Sequence, residues 1–230
     1  RFWENNGDGT VTERAASLGL TGNLDWVGAA YYGHTIGAVW GDLDNDGDFD
    51  SVQANLAHPR FFQFSDKTQI LLQNEEGEFE DIQGDWEYPR GEAGLRFQET
   101  HSVPVLADFD QDGVLDLAIS ATYDGRPSDF YWGLGDGTFE LDNYHAGITI
   151  RNGWCMAVSD MDQDGDVDLA ASGTVLENTG SGFEAGNWLQ ILPIGNVDSN
   201  WSALGASVRV HSGESMWLRH VSGGNGQGCQ

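Results

Sequence analysis

Three copies of one acidic pattern restrict the fold of this chain more than any other feature of its sequence. The pattern D-x-D-x-D-G-x-x-D occupies residues 42–50, 108–116 and 160–168, and each copy lies between two apolar stretches. Repetition at intervals of roughly 50 to 65 residues is typical of proteins built from repeated supersecondary units. The copies therefore predict a repeat in which an apolar strand, an acidic loop and a second apolar strand follow one another.

A second recurring element follows each acidic copy. It consists of an apolar strand, a turn rich in Asn, Gly and acidic residues, and a Phe, and it spans residues 71–79, 131–139 and 176–183. Asn-Gly and Asp-Gly turns between apolar runs are strong signals for β-hairpins. Each repeat then contains two hairpins, or four strands. Residues 2–11 match the second hairpin alone, so we expect the first hairpin of that unit to be missing.

These units predict an all-β fold, with β-propeller-type four-stranded blades over residues 1–185 that amount to about 3.5 blades. Residues 186–230 lack the acidic pattern and predict a separate small β module. No long amphipathic helix is predicted. Between the first two repeats, the segment 84–100 is expected to form a long exposed loop on a binding face.

The acidic pattern has the chemistry of a calcium loop. Ca²⁺ takes six to eight oxygen ligands at about 2.3–2.6 Å, and a glycine at the sixth position permits the sharp turn that brings such ligands together. Carboxylates are predicted at positions one, three, five and nine, with the backbone carbonyl of position seven. The predicted ligands are Asp42, Asp44, Asp46, Asp48 and Asp50 in the first loop, Asp108, Asp110, Asp112, Val114 and Asp116 in the second, and Asp160, Asp162, Asp164, Asp166 and Asp168 in the third.

Two alternatives to this interpretation are weaker. An EF-hand needs an acidic residue at position twelve and flanking helices, but that position holds Gln53, Ile119 and Ala171 and the flanks resemble strands. Mg²⁺ prefers to keep bound water in an octahedral shell, which so many protein oxygens would overfill. The sequence therefore predicts about three Ca²⁺ ions with a structural role.

The charge of the chain excludes two classes of partner. There are 37 acidic residues against 10 Lys and Arg, a formal net charge of −27. Nucleic acids and anionic membranes need a basic surface, so neither is an expected partner. No apolar run reaches ~18 residues, which argues against membrane insertion. An acidic surface with Lys67 as its only lysine suits secreted proteins and salty habitats alike. The expected location is extracellular, at the cell surface or periplasmic.

The other candidate residues do not indicate an enzyme. The chain has no nucleophile elbow, HExxH motif or P-loop, and no catalytic residue is predicted. His34 and His101 precede two of the loops and could line a shared pocket, although a structural role is the favoured interpretation. Cys155 and Cys229 leave open both a disulfide and two unpaired thiols. Five aromatic residues could stack on sugars, with packing between strands favoured for most of them: Trp86, Tyr88, Trp132, Trp154 and Trp201.

The repeats resemble the FG-GAP/VCBS family of β-propeller blades. The resemblance is carried by the three acidic loops and by the Asn/Gly hairpins that end in Phe, over about residues 1–185. The segments 200–210, 219–224 and 228–230 are similar to the start of an ASPIC/UnbV module, whose usual Ser-Asn-Arg is Ser-Asn-Trp here.

This resemblance implies a secreted or surface β-propeller whose Ca²⁺ ions are structural and which recognises a protein or polysaccharide ligand, for example in adhesion. Some lyases that act on polysaccharides also use Ca²⁺-rich propellers, so an enzyme is the alternative. A third possibility is an accessory subunit of a larger exported assembly. Because a closed propeller of this kind usually has about seven blades, missing segments or other chains would complete the ring.

Overall fold

The computed structural model describes residues 2–21, 34–57, 67–84, 89–182, 186–196 and 198–223. These ranges form fifteen β-strands and contain no helix, which confirms the all-β prediction for them. None of the described residues therefore belongs to a helix that could cross a membrane. Several residues singled out in the sequence lie outside the described ranges: Trp86, Tyr88, Phe183 and Cys229.

The strands pair only with their sequence neighbours, and every pairing is antiparallel. The N-terminal hairpin contains β1 (Trp3–Asn5) and β2 (Val11–Glu13). The first full sheet contains β3 (His34–Gly41), β4 (Asp50–Leu56), β5 (Gln69–Gln73) and β6 (Phe79–Asp81). The second contains β7 (His101–Ala107), β8 (Asp116–Ala121), β9 (Asp129–Gly133) and β10 (Phe139–Leu141). The third contains β11 (Met156–Ser159), β12 (Asp168–Ala171) and β13 (Thr174–Leu176), and the C-terminal hairpin contains β14 (Ser207–Ser212) and β15 (Ser215–His220).

Two sheets thus have the four strands that the repeat predicts. The third has three described strands, and the Phe183 that would begin its fourth lies outside the described residues. The proposed boundary between the repeats and the C-terminal module, at residue 185, also lies there. The division into domains 1–185 and 186–230 therefore stays a prediction.

The three sheets stack face to face, with one core between the first and second sheets and another between the second and third. The second sheet serves both cores because side chains along a strand point alternately to its two faces. Every residue of β8 is buried. Leu117 and Ile119 enter the core shared with the first sheet, whereas Ala118 enters the core shared with the third. The first strands of the sheets lie side by side, with β7 between β3 and β11. The second sheet is therefore an interior layer of the stack.

The connection between the first two sheets differs from the exposed loop that we expected for the segment 84–100. Ala93 is 1% exposed and Leu95 is fully buried, and both belong to the core between these sheets. Phe139 donates its backbone N–H to the carbonyl of Ala93 at 3.0 Å. Gly94 has φ +93°, and a Cβ at this position would collide with the carbonyl of Phe139. The expectation of an exposed loop is therefore wrong for these residues.

The same contact occurs at the first sheet. Phe79 donates its backbone N–H to the carbonyl of Leu18 at 2.8 Å, and the neighbouring Gly19, with φ +74°, lies against the carbonyl of Phe79. An apolar-Gly-apolar connection packed on the fourth strand is therefore a further recurring element of the repeat. Its sequence signal, a glycine between two small or aliphatic residues before the next first strand, is too short to recognise without knowing the contact.

A buried charge network lies at the end of the second sheet opposite its acidic loop. Asp129 is fully buried, pairs with Arg96 through two hydrogen bonds, and accepts a third from the hydroxyl of Tyr131 at 3.2 Å. His101 Nε2 lies 3.1 Å from Asp129 Oδ2, and its Nδ1 lies 2.8 Å from Thr68 Oγ1. This network joins the first and second sheets through polar contacts.

The network determines the protonation of its carboxylate. Burial by itself would raise the pKa of Asp129, but the hydrogen bonds and charges of His101 and Arg96 outweigh it and hold the pKa at about 2. Since this pKa is lower than in an unfolded chain, the ionised group adds stability that is lost as the pH falls toward 2. His101 is buried within this network, as a structural role predicts, and His34 lies exposed at the start of β3.

Candidate metal centres

Each acidic copy forms the loop between the first and second strands of a sheet. Residues 42–50 join β3 to β4, residues 108–116 join β7 to β8, and residues 160–168 join β11 to β12. The ninth aspartate of each copy is the first residue of the second strand. The three loops therefore occupy equivalent positions in their sheets, as the repeat predicts.

The loops share their backbone conformation as well as their sequence. The fourth residue is left-handed in each, with φ of 59° at Asn45, 60° at Gln111 and 65° at Gln163. The glycine at position six has φ between 93° and 100°. In every loop the N–H of residue five bonds to the carboxylate of residue three, and that of residue seven bonds to the carboxylate of residue five. The chain therefore curls in the same way three times.

This curl brings three carboxylates together in each loop. Their nearest oxygens lie within 4.8 Å of one another, in these groups: Asp42, Asp44 and Asp50; Asp108, Asp110 and Asp116; Asp160, Asp162 and Asp164. Oxygens on opposite sides of a Ca²⁺ ion at about 2.4 Å are about 4.8 Å apart, so this spacing suits the ion. The other predicted carboxylate ligands, Asp46, Asp112 and Asp168, lie outside these groups. The carbonyls predicted at position seven belong to Asp48, Val114 and Asp166.

The first aspartate of each loop has oxygens without a hydrogen-bond partner. Both carboxylate oxygens of Asp42 are buried and unpartnered, and so is Oδ1 of Asp108 and of Asp160. Asp42 as a whole is fully buried. A buried carboxylate without a partner is strongly disfavoured, and such groups are normally found paired or bound to a metal. A buried, unpartnered oxygen at the same position of three loops suits a bound cation.

Burial raises the pKa of several loop carboxylates. It is the main cause in the first two loops, where the pKa of Asp108 rises to about 6, that of Asp50 to about 7 and that of Asp116 to about 8, and the neighbouring carboxylates add to the shift. The third loop is more open, since Asp162 and Asp164 are exposed. A cation would favour the ionised form of all these groups.

We expect the metal-free protein to lose stability as the pH rises from about 5 to about 8. Acids with a raised pKa hold more protons in the folded than in the unfolded chain over this range, so folding becomes less favourable as the protons leave. Saturating Ca²⁺ should remove this trend. Urea unfolding of resin-stripped protein at several pH values would measure it, and a metal-free stability that is flat or rises over this range would contradict the expectation.

The ninth aspartate has a second role that the sequence did not reveal. In every loop its Oδ2 accepts a hydrogen bond of 2.8 Å from the backbone N–H of the second loop residue. The donors are Leu43 for Asp50, Phe109 for Asp116 and Met161 for Asp168. Its Oδ1 accepts an N–H from the end of the third strand or just beyond it at 2.9 Å, from Gln73, Gly133 and Asn178 respectively. The residue therefore ties each loop to its own sheet. An ionised carboxylate can accept these bonds and still face a metal, because each oxygen has two lone pairs.

Neighbouring loops are also connected to each other. Gln111 of the second loop donates from Nε2 to the carbonyl of Gly165 in the third loop, at 3.2 Å, and to the carboxylate of Asp166. Its Oε1 accepts the backbone N–H of Gly186 at 2.9 Å. A conformational change in the second loop would therefore alter the hydrogen bonds of the third.

The C-terminal segment covers the loops. A side chain from residues 186–223 lies against the glycine at position six of each loop, in the pairs Met216 with Gly47, Trp217 with Gly113, and Trp188 with Gly165. A Cβ at Gly113 would lie 2.7 Å from Nε1 of Trp217. The glycines are therefore required for close packing of this segment as well as for their positive φ.

We expect Gly113→Ala to destabilise the protein by about 2–4 kcal/mol. A left-handed alanine costs about 1–2 kcal/mol, and displacement of Trp217 adds a comparable amount. Gly125→Ala is the matched control, because Gly125 has φ +75° but nothing within 4 Å of its Cβ position. Denaturant unfolding of both variants would separate the two contributions. Equal losses of unfolding free energy in the two variants would show that the contact with Trp217 does not contribute to stability.

A cavity of about 600 Å³ lies between the second and third sheets. Phe109, Phe130 and Trp132 form part of its wall, and the acidic-loop residue Asp110 and the side chain of His145 also line it. The ring nitrogen Nδ1 of His145 lies 2.8 Å from Asp142 Oδ1, and Asp142 also accepts the indole N–H of Trp132 at 3.0 Å. Of the other aromatic candidates, Trp154 and Trp201 are exposed.

These features define an all-β protein made of consecutive antiparallel sheets, each with an acidic loop between its first two strands. Residues 108–171, from the second acidic loop to the end of β12, match the family model of the FG-GAP-like repeat. That confirms the resemblance for this part of the chain, which is well under half of its length. No curated protein matches the sequence. The resemblance of residues 186–230 to an ASPIC/UnbV module stays a prediction.

Proposed function

We propose that this chain is a calcium-stabilised recognition module of β-propeller type that acts outside the cell, at its surface or in the periplasm. Its partner would be a protein or polysaccharide. The observation that carries the metal assignment is the buried, unpartnered oxygen on the first aspartate of all three loops, Asp42, Asp108 and Asp160. The repeat that matches the FG-GAP-like model supports a recognition or adhesion role.

The surroundings of the loops favour a structural role for the ions. The ninth aspartates use both oxygens to join loop and sheet, and the C-terminal segment packs over the glycines of the loops. An ion bound in such a loop would neutralise carboxylates and hold the first, second and third strands together. Ca²⁺ supplies charge compensation there, and the loop carboxylates supply its ligands.

A propeller arrangement is supported by the order of the sheets. Strand β7 lies between β3 and β11, and successive sheets share a core, as neighbouring blades do. Further blades would be needed to close a ring. We propose that they come from further sequence of the same polypeptide or from another chain, in which case this chain could serve as an accessory subunit of a larger exported assembly.

Calorimetric titration of resin-stripped protein with CaCl₂ would test the metal assignment. We expect about three ions per chain, with MgCl₂ binding at least tenfold more weakly because the loops leave little room for bound water. The variant Asp42→Asn/Asp108→Asn/Asp160→Asn is the matched control and should bind no Ca²⁺. Absence of any binding heat or bound metal in the unmodified protein would overturn the proposal.

Arrays of immobilised glycans and of extracellular matrix proteins would test the recognition role. The Ca²⁺-loaded protein should bind a defined subset, and the triple Asp→Asn variant should bind less because its scaffold is weakened. Positive hits would then be checked by surface plasmon resonance with purified partners. A Ca²⁺-loaded, folded protein that binds no glycan or protein on either array would contradict the proposal.

One observation favours a lyase-like enzyme as a second candidate. The cavity brings the acidic-loop residue Asp110 together with the Asp142–His145 pair, which is the combination of a metal loop with a titratable side chain that such an enzyme needs.

Incubation with uronate-containing polysaccharides, followed by measurement of the ultraviolet absorbance of unsaturated products, would test for lyase activity. Activity that is lost in His145→Ala and retained in His211→Ala, which changes an exposed histidine outside the cavity, would support the enzyme. Absence of product would leave recognition as the function.

A further inference from the structure

The C-terminal segment, residues 186–196 and 198–223, meets every acidic loop at the same position. A Cβ added to the glycine at position six would lie 2.6 Å from Met216 Cε in the first loop, 2.7 Å from Trp217 Nε1 in the second and 2.3 Å from Trp188 Nε1 in the third. Each of these side chains occupies the space that any side chain at position six would need. The segment therefore packs on the backbone of all three loops.

Two more contacts hold the segment at the first loop. Arg209 on β14 donates from Nη2 to the carbonyl of Gly47 at 3.3 Å. The ring of His220 on β15 packs edge-on against Phe49, at position eight of the loop, with the ring centroids 5.4 Å apart. The backbone and an aromatic ring of the first loop thus form part of the surface on which the C-terminal hairpin lies.

The segment has few other contacts with the sheets. None of its described residues belongs to the hydrophobic cores of the sheets, and the described residues from 186 to 206 form no strand. Several of its apolar side chains remain exposed, namely Leu189, Leu192, Ile194 and Trp201. Its docking on the sheets therefore depends mainly on the loops.

We infer that docking of the C-terminal segment and metal binding by the loops are coupled, so that the segment docks on the curled form of each loop and its docking raises the metal affinity of that loop. This inference rests on the proposed binding of Ca²⁺. Met216, Trp217 and Trp188 are positioning residues that act through the loop glycines, and none of them is a metal ligand. Loss of the metal would release the segment from the loops.

The coupling follows from the geometry of the curl. The curl places carboxylate oxygens of each loop within 4.8 Å of one another, and their repulsion opposes it when no cation is present. The glycine at position six belongs to the curl, with φ between 93° and 100°, so opening of the loop moves the backbone on which the covering side chain packs. A contact that stabilises the curled form raises the affinity for the ion which that form binds, and the effect is reciprocal.

Calorimetric titration of full-chain variants with CaCl₂ would test the coupling loop by loop. Met216→Ala/Trp217→Ala should weaken two of the three sites by about fivefold or more, the lower end of typical couplings between sites, and leave the third within about twofold. Trp188→Ala should weaken the remaining site alone. Trp201→Ala is the matched control and should leave every site within about twofold, since Trp201 is an exposed tryptophan of the same segment that is not among the side chains nearest to the loop glycines.

Hydrogen exchange provides a readout that does not depend on the variants. A two-stranded hairpin is marginally stable by itself, so the backbone amides of β14 and β15 should lose protection when the segment undocks. In the unmodified full chain, we expect their exchange to accelerate as EDTA lowers the free Ca²⁺ concentration. The amides of β8, in the interior layer of the stack, should keep their protection at the same Ca²⁺ concentrations.

Three results of the titrations would overturn the inference: unchanged affinity in both variants, equal weakening of all three sites by either variant, or an equal effect of Trp201→Ala. Loss of protection in β14, β15 and β8 together would also overturn it, because the segment would then not undock by itself. If a variant does not fold, the exchange measurement decides. Absence of Ca²⁺ binding by the unmodified protein would instead overturn the proposed function, so the two failures are distinguishable.

Discussion

Removal of Ca²⁺ by chelation is expected to lower the melting temperature by roughly 15 to 30 °C. A ligand at 100 times its dissociation constant stabilises the folded state by about 2.7 kcal/mol per site, so three saturated loops contribute about 8 kcal/mol. In a chain of this size, each kcal/mol corresponds to roughly 2–4 °C. Differential scanning calorimetry in CaCl₂ and in EDTA would measure the shift.

The triple variant Asp42→Asn/Asp108→Asn/Asp160→Asn provides the control for this experiment. It removes the carboxylates whose buried oxygens have no partner, so its melting temperature should be insensitive to EDTA. In EDTA it should melt at or above the temperature of the unmodified protein, because an uncompensated buried charge is lost from each loop. A shift of less than about 3 °C on chelation of the unmodified protein would contradict the structural role of the ions.

Asp129→Ala is expected to destabilise the protein by about 3–5 kcal/mol. The substitution leaves the guanidinium of Arg96 and the ring of His101 without the carboxylate that both contact, and loss of one partner of a buried ion pair typically costs this much. Because Arg96 is 30% exposed and can reach water in part, the lower half of this range is the closer expectation. Urea unfolding at pH 7 would measure the change.

Asp136→Ala is the matched control for Asp129→Ala. Asp136 is an exposed aspartate that accepts hydrogen bonds from the backbone N–H and hydroxyl of Thr138 in a turn of the same sheet, so its removal should cost less than about 1 kcal/mol. The combination Arg96→Met/Asp129→Ala should recover part of the loss, because the unpaired charge is then absent. Similar losses for the two aspartates would show that the buried network contributes little.

The parts of this fold that follow from local sequence were predictable. Alternating apolar residues specify strands, Asn-Gly and Asp-Gly turns specify hairpins, and the glycine at position six together with Asx-type hydrogen bonds specifies the curl of each acidic loop. All of these interactions join residues that lie close together along the chain. The three loops, the order of the strands and the four-stranded unit were therefore evident before any tertiary contact was known.

The connections between sheets were not predictable in this way. The segment around Gly94 reads as an exposed polar loop, but Ala93 and Leu95 are buried because the fourth strand of the next sheet, beginning at Phe139, folds back onto them. The burial of His101 likewise depends on Asp129 and Thr68, which lie far from it in sequence. A residue's neighbours in the chain carry no information about such partners.

The same distinction holds for the candidate metal centres. The sequence alone identified candidate carboxylates for a cation site, because the spacing of the aspartates and the glycine turn are properties of nine consecutive residues. Only the tertiary structure decided that the ninth aspartate also accepts a hydrogen bond from the third strand and that Trp217 covers Gly113. These contacts join residues separated by tens to more than a hundred positions, and they exist only once the sheets have stacked and the C-terminal hairpin has docked.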